Sequence, residues 1–172
     1  MVQIRILKKS DNRNSFSCGN VDIDYYFKKY AGQNQFKHFI GTNYIATDDK
    51  NIFAFITVSS SSLVSQDLPK EFKAKLPQYP LPVLRISRLG VDTKYQKQGL
   101  AKQMMFLALK LALEQQEKFG CVGIVVDAKN DAVNFYKNLG FVELEMNAKL
   151  SKNRFNTIPM FLSIKTIQNA IN

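Results

Sequence analysis

The sequence predicts a single α/β domain over residues 1–172. Two observations carry this. Between residues 83 and 145, segments of strand and helix character alternate as strand–helix–strand–helix–strand, the order of a layered α/β structure. Ahead of it, two short runs around the turn Asp48-Asp49-Lys50 read as a hairpin that extends the same sheet. The size agrees: 172 residues, 45% hydrophobic and 12% aromatic, suffice to bury roughly 70% of the unfolded surface, which excludes disorder as the overall state.

Taken in order, residues 2–7 alternate with Val2, Ile4 and Ile6 on one face and predict a first strand. Residues 22–31 place Ile23, Tyr26, Phe27 and Tyr30 at helical spacing behind an Asp cap. Residues 43–46 and 52–59 form the hairpin. The stretch 59–82, with its serine run and Pro69, Pro77, Pro80 and Pro82, predicts a loop with at most one helical turn. A strand over 83–91 leads into a helix over 99–119, whose stripe Leu100, Met104, Leu107, Ala108 and Leu111 suits packing on a sheet and which Gly120 ends. The near-continuous apolar run 121–126 predicts a strand buried on both faces. Asn130 or Asp131 then caps a helix that stops at Gly140. Strands over 141–145 and 158–164 and a tail helix near 167–171 complete the chain.

Composition narrows the class of protein. No apolar stretch approaches the roughly 18 residues that span a bilayer, the best run, 104–113, being short and broken by Lys110. The first nine residues alternate and lack a signal-peptide apolar block. Cys18 and Cys121 match no metal or redox spacing, so no metal site is expected and the thiols should be reduced. A cytoplasmic protein is expected. The formal net charge of +10 favours encounter with polyanions, whether nucleic acid, anionic lipid or a phosphate-bearing cofactor.

The segment between the strand 83–91 and the long helix carries the chemistry. A helix N-terminus presents unpaired backbone N–H groups and the positive end of the dipole, a ready anion site. Gly99 and Ala101 keep the surface low there, and Lys97 and Lys102 add charge. No Walker or dinucleotide glycine pattern is present, so nucleotide hydrolysis and dinucleotide binding fit poorly. Here the chain resembles the GCN5-related N-acetyltransferase (GNAT) family. Gln96, Gly99 and Ala101 meet its pyrophosphate-loop pattern Gln/Arg-x-x-Gly-x-Gly/Ala. The run Arg88-Leu89-Gly90-Val91-Asp92 is similar to the family's cofactor strand, and Ala132, Tyr136, Gly140 and Phe141 meet its later helix signature. The resemblance implies the GNAT fold, a mixed central sheet of about six to seven strands flanked by helices, and acetyl-CoA as cofactor. It implies that Leu89, Gly90, Val91, Gln96, Lys97, Gln98, Gly99, Leu100, Ala101, Lys102, Asn130 and Phe135 line the coenzyme and that Tyr136 is catalytic. One departure stands out: Lys129 occupies the place where many members have Asn, with Asn130 one position later, as a cofactor contact or only a cap.

Acetyl transfer to an amine needs a positioned thioester, a donor for the developing oxyanion, a neutral amine and a proton for the departing sulfur. A phenol of pKa about 10 stays protonated at neutral pH, and full transfer to a thiolate whose acid has a pKa about 8.5 is uphill by roughly 2 kcal/mol. Tyr136 therefore acts by hydrogen bonding to the sulfur, with protonation concerted or late. No base is identifiable: His38 is the sole histidine and sits among aromatics, and Asp92 and Glu143 are the remaining candidates. Cys121 has no histidine partner in sequence, so direct transfer is expected.

The opening Phe16-Ser17-Cys18-Gly19-Asn20-Val21-Asp22-Ile23-Asp24-Tyr25-Tyr26 and the terminal Pro159-Met160-Phe161-Leu162-Ser163-Ile164 resemble the acetyltransferase toxins of bacterial toxin–antitoxin pairs. That resemblance implies the α-amine of aminoacyl-tRNA as acceptor and a small antitoxin protein as partner. Arg85, Arg88, Lys28 and Lys29 are then candidate RNA contacts, against which stand a solvated helix face for the lysines and structural ion pairs for the arginines. Two other readings stay open: a GNAT enzyme acting on a small-molecule or protein amine, and a non-catalytic module that binds nucleic acid or a partner. A homodimer covered by the strand 158–164 and a monomer fit equally.

Overall fold

The computed structural model describes residues 1–144 and 157–171. The strands are β1 (Gln3–Ile6), β2 (Thr42–Thr47), β3 (Ile52–Leu63), β4 (Leu81–Val91), β5 (Gly123–Lys129), β6 (Val142–Glu143) and β7 (Thr157–Ser163). The helices are α1 (Val21–Lys29), α2 (Ala31–Phe36), α3 (Lys70–Lys73), α4 (Leu100–Lys118), α5 (Val133–Asn138) and α6 (Ile164–Ile171), with 3-10 turns at Ser65–Asp67, Thr93–Tyr95 and Asn130–Ala132. One seven-stranded sheet runs in the order β1-β2-β3-β4-β5-β7-β6. By contact density the chain divides into two compact units, 1–59 with 86–108 and 60–85 with 109–172.

In the first unit, β1, β2 and the start of β3 form an antiparallel meander, Arg5 opposite Ile45 and Tyr44 opposite Ile56, with a register irregularity at Ala46/Thr47. Its core is aromatic. Phe27 of α1 stacks on Phe55 of β3 at 4.0 Å and 13°, and Phe16 meets both edge-on at 4.9 and 5.4 Å. Leu7, Tyr26, Ala31 and Ile45 close the cluster. Each aromatic pair adds about 0.5–1.5 kcal/mol to what area burial alone contributes. Because Phe16 precedes α1 in a segment without regular structure, this cluster also fixes the chain's entry into the helix.

The second unit is held differently. β5 and β7 pair antiparallel over seven consecutive residues, from Gly123 opposite Ser163 to Lys129 opposite Thr157, and β6 adds on the far side of β7. Leu68, Leu81, Val83 and Phe161 form an apolar cluster with Phe72 edge-on to Phe161 at 5.6 Å. Gly123 is required by close approach: a Cβ there would overlap the Leu162 carbonyl oxygen and come within 2.5 Å of the Phe161 ring.

Several boundaries differ from expectation. The serine run Ser59–Ser62 is strand, not loop: β3 continues to Leu63, its last residues alternating half-buried and exposed, so hydroxyls occupy the outward positions. The loop expected over 59–82 also holds α3 and a 3-10 turn. The first helix ends at Lys29, and Tyr30 separates it from α2. Its cap is Asn20, whose Oδ1 accepts from the Ile23 N–H at 3.1 Å, leaving Asp22 and Asp24 in the first turn. On α4 the fully buried stripe is Leu100, Met104, Met105, Ala108, Ala112 and Gln115, while Leu107 and Leu111 are half-buried. β5 begins at Gly123 and runs on to Lys129. Neither Asn130 nor Asp131 caps α5 through its side chain; a 3-10 turn intervenes. The strand expected to cover a dimer interface, now β7, lies between β5 and β6 and is mostly buried in its own chain. Glu145, the expected end of β6, lies outside the described residues.

Candidate active site

The end of β4 and the turn behind it are held by a set of hydrogen bonds from side chains. The Asp92 carboxylate accepts from the Lys94 N–H at 3.0 Å, which caps the 3-10 turn, and from the Ser17 N–H at 3.1 Å. The Thr93 N–H returns to the Ser17 carbonyl at 2.8 Å. Gln96 Nε2 donates to the carbonyls of Cys18 and Val91, both at 3.0 Å. Asp24 completes the clasp by accepting from the Cys18 N–H at 2.8 Å. Residues 16–20 and 91–96, far apart in sequence, thus form one polar joint, and Asp92 is 5% exposed within it. Gly90 sits beneath it, where a Cβ would press on Phe55, Ile23 and Cys18 at 3.0, 3.2 and 3.4 Å. The glycine lets α1 approach β4. Period two leaves Leu89 and Val91 on the opposite face, both half-buried.

Beyond the joint, Lys97 and Gly99 are left-handed, φ +63° and +84°, and Gln98 between them is not. Such alternation turns successive N–H groups towards one concavity, a backbone nest for anions. α4 starts directly after it, its first internal bond running from the Gln103 N–H to the Gly99 carbonyl. The N–H groups of its first turn are therefore left for a ligand. A Cβ on Gly99 would meet nothing within 4 Å, so the space above the nest is open to a phosphate. Lys97, Gln98 and Lys102 are exposed around it, with Leu100 buried and Ala101 half-buried beneath. These residues fit the diphosphate of coenzyme A. Lys97 has no glycine's freedom, and its left-handed backbone costs about 1–2 kcal/mol, strain that the joint on one side and α4 on the other maintain.

In the second unit Tyr136 lies on α5, 4% exposed. Its ring packs edge-on between Phe135 at 5.2 Å and Phe141 at 5.3 Å. Burial pushes its phenol well above the ordinary tyrosine range, so it holds its proton at every physiological pH. Phe135 is half-buried and Asn130 is exposed in the 3-10 turn.

Two of the three candidate bases are engaged elsewhere. Asp92 belongs to the joint, Glu143 pairs with Lys137 at 3.4 Å, and His38 is exposed between α2 and β2. The thiols are inert: burial first and the Asp24 carboxylate second push Cys18 up to about 12, and burial raises Cys121. Of the candidate RNA contacts, Arg85 pairs with Asp127, and the Arg88 guanidinium lies 4.5 Å over the Tyr26 ring. Lys28 and Lys29 form no ion pair among the described residues. The sequence gives Ser17 and Asp24 only as part of the opening 16–26 and assigns no structural role to them or to Gln96.

A GNAT acetyltransferase domain matches residues 17–164, and the chain belongs to that family. It is an acetyl-CoA-dependent N-acetyltransferase. The chain is 29% identical over 140 residues to the tRNA-acetylating toxin of Mycobacterium tuberculosis, which covers 80% of this chain and 82% of that protein. Among solved structures, a bacterial toxin superposes with a TM-score of 0.87 at 24% identity over 99% of this chain and 95% of that one. AtaT complexed with acetyl-methionyl-tRNAfMet superposes with a TM-score of 0.85 at 24% identity over the full length of both.

Proposed function

We propose that the chain acts as one catalytic domain that acetylates the α-amine of aminoacyl-tRNA, a translation-blocking toxin of the cytoplasm restrained by a small antitoxin protein. The observation that carries this reading is the extent of its likeness to a tRNA-acetylating toxin, 140 residues and 80% of the chain. Two features of the residues support it. The +10 charge suits a polyanionic acceptor. The engagement of Asp92 and Glu143 with other groups suits an amine that needs no base: α-amino groups titrate near 7.7–8.0, and an adjacent ester lowers that further, so a neutral fraction is already present.

Acetyl-CoA supplies the acetyl group as a thioester. The residues that would hold it are Leu89, Gly90 and Val91, by backbone groups, and the nest of Gln96, Lys97, Gln98, Gly99, Leu100, Ala101 and Lys102, with Asn130 and Phe135 as further contacts. A backbone N–H at the end of β4 serves as the donor to the developing oxyanion. Tyr136 retains its proton and offers it as a hydrogen bond to the sulfur. No cysteine relays the acetyl group.

The test is transfer from labelled acetyl-CoA to a pool of charged tRNA, beside polyamines and peptides. Labelled aminoacyl-tRNA is expected, with affinity falling steeply between about 50 and 200 mM salt. Labelling confined to polyamines or peptides would replace the acceptor and keep the enzyme class.

A further inference from the structure

We propose that Tyr25 and Tyr30, flanked by Lys28 and Lys29, form a stacking platform for the unpaired nucleotides at the 3′ end of the RNA acceptor. The proposal rests on the reading of the acceptor as charged tRNA. α1 turns Tyr26 and Phe27 into the core, and its other side leaves Tyr25 55% exposed and Tyr30, just past its end, 41% exposed. Two large aromatic rings on a surface helix would ordinarily lie apart; these meet edge to face at 5.5 Å and 71°. The neighbouring Tyr25 hydroxyl also pushes the Tyr30 phenol up. A ring fixed in this way loses little freedom when something stacks on it, which is where stacking affinity is otherwise lost.

The charge around the pair says what would stack. Lys28 and Lys29 lie between the two tyrosines, close the last turn of α1, and pair with no carboxylate among the described residues. Aromatic faces interleaved with cations are the usual means of holding single-stranded nucleic acid, whose bases offer a π-face and whose backbone offers phosphates. The position fits the chemistry as well. Tyr25 directly follows Asp24, whose carboxylate holds the Cys18 N–H, and Cys18 is joined through Gln96 to Val91. A nucleotide on Tyr25 would thereby sit one residue along α1 from the carboxylate that ties the helix to the joint at the end of β4.

The experiment uses the full chain and the variants Tyr25→Ala, Tyr30→Ala and Tyr25→Phe, with two readouts. The first is KM and kcat for charged tRNA with acetyl-CoA saturating. The second is fluorescence anisotropy of a labelled single-stranded RNA ending in cytidine-cytidine-adenosine. Each alanine is expected to raise KM and the oligonucleotide Kd by roughly 5- to 150-fold, the range measured for one stacked base, with kcat falling much less. Tyr25→Phe keeps the ring face and is expected to stay within about threefold of the parent. Alanine variants whose KM and Kd stay within twofold would overturn the platform and leave the pair as a protein-contact surface. A fall in kcat with a raised KM for acetyl-CoA would likewise overturn it, marking the tyrosines as supports of the joint. If the parent enzyme acetylates no charged tRNA, the acceptor reading fails by itself, and unchanged anisotropy in the variants then rejects the platform separately.

Discussion

The two units hold their functional groups in opposite ways. In the first, the donor strand ends in irregular backbone, and residues 16–20 and 91–99 keep their shape through side chains: Asp92, Gln96 and Asp24 on the polar side, Phe16 against Phe27 and Phe55 on the apolar side. In the second, Tyr136 stands on a short helix beside a regular β5–β7 ladder, and its surroundings are rings rather than hydrogen bonds. Backbone that must offer its own N–H groups to a ligand cannot spend them on a sheet, so polar side chains hold it instead. A side chain that must keep a proton is better served by dry aromatic walls, which penalise its anion.

The comparison is broken most forcefully at Tyr136. Tyr136→Phe keeps the packing and removes the hydroxyl, and kcat is expected to fall by roughly 10²–10⁴ while KM for acetyl-CoA moves little; steady-state kinetics decide it. Because burial raises this phenol, kcat should show no descending limb from tyrosine ionisation below about pH 10, and one there would contradict the dry setting. Next is the aromatic wall of the first unit: Phe27→Ala should cost about 3–5 kcal/mol in denaturant unfolding. Gln96→Ala comes third. It removes the two hydrogen bonds by which Gln96 ties the nest to residue 18 and to the end of β4, so about 1–3 kcal/mol should emerge as a raised KM for acetyl-CoA, with kcat and the oligonucleotide Kd little moved. A smaller effect concerns acid. Asp11, held below the ordinary carboxylate range by the Arg5 guanidinium, adds stability that is complete above its unfolded pKa of about 4. That contribution is lost as pH falls through its lower folded value, and Asp11→Asn should flatten the acid limb of a stability profile. The smallest effect is at the thiols. The double variant Cys18→Ala, Cys121→Ala should keep its turnover, and iodoacetamide at pH 8 should modify neither cysteine until the chain unfolds.

What could be read in the sequence follows from the range of the interactions. The β4–α4–β5 order, the turn at Gly99 and the helix stop at Gly120 depend on neighbours in the chain, and residue type reports those directly. The stripe of α4 was legible in period but shifted, because whether Leu107 or Met105 is buried depends on the surface it meets. Ser59–Ser62 was misread because serine favours turns only where the backbone lacks a better partner, and β3 supplies a ladder. At the site, Gln96 and Gly99 are visible as a motif, whereas the bonds from Gln96 to Cys18 and from Asp92 to Ser17 span more than seventy residues and leave no local trace. Arg85 and Arg88 stand open in the sequence between RNA contact and internal partner, and their partners in the fold, Asp127 and the Tyr26 ring, come from elsewhere in the chain.

The placing of β7 between β5 and β6 has a consequence for the order in which the protein is made. β6 and the edge of β5 are synthesised first, yet neither can pair until residues 157–163 leave the ribosome. The turn that ends α5 rests on the same late segment, since Gly140 lies against Leu162 and Thr166. A chain interrupted before residue 157 therefore carries a finished donor joint, while β6 and the outer edge of β5 still lack their shared partner strand.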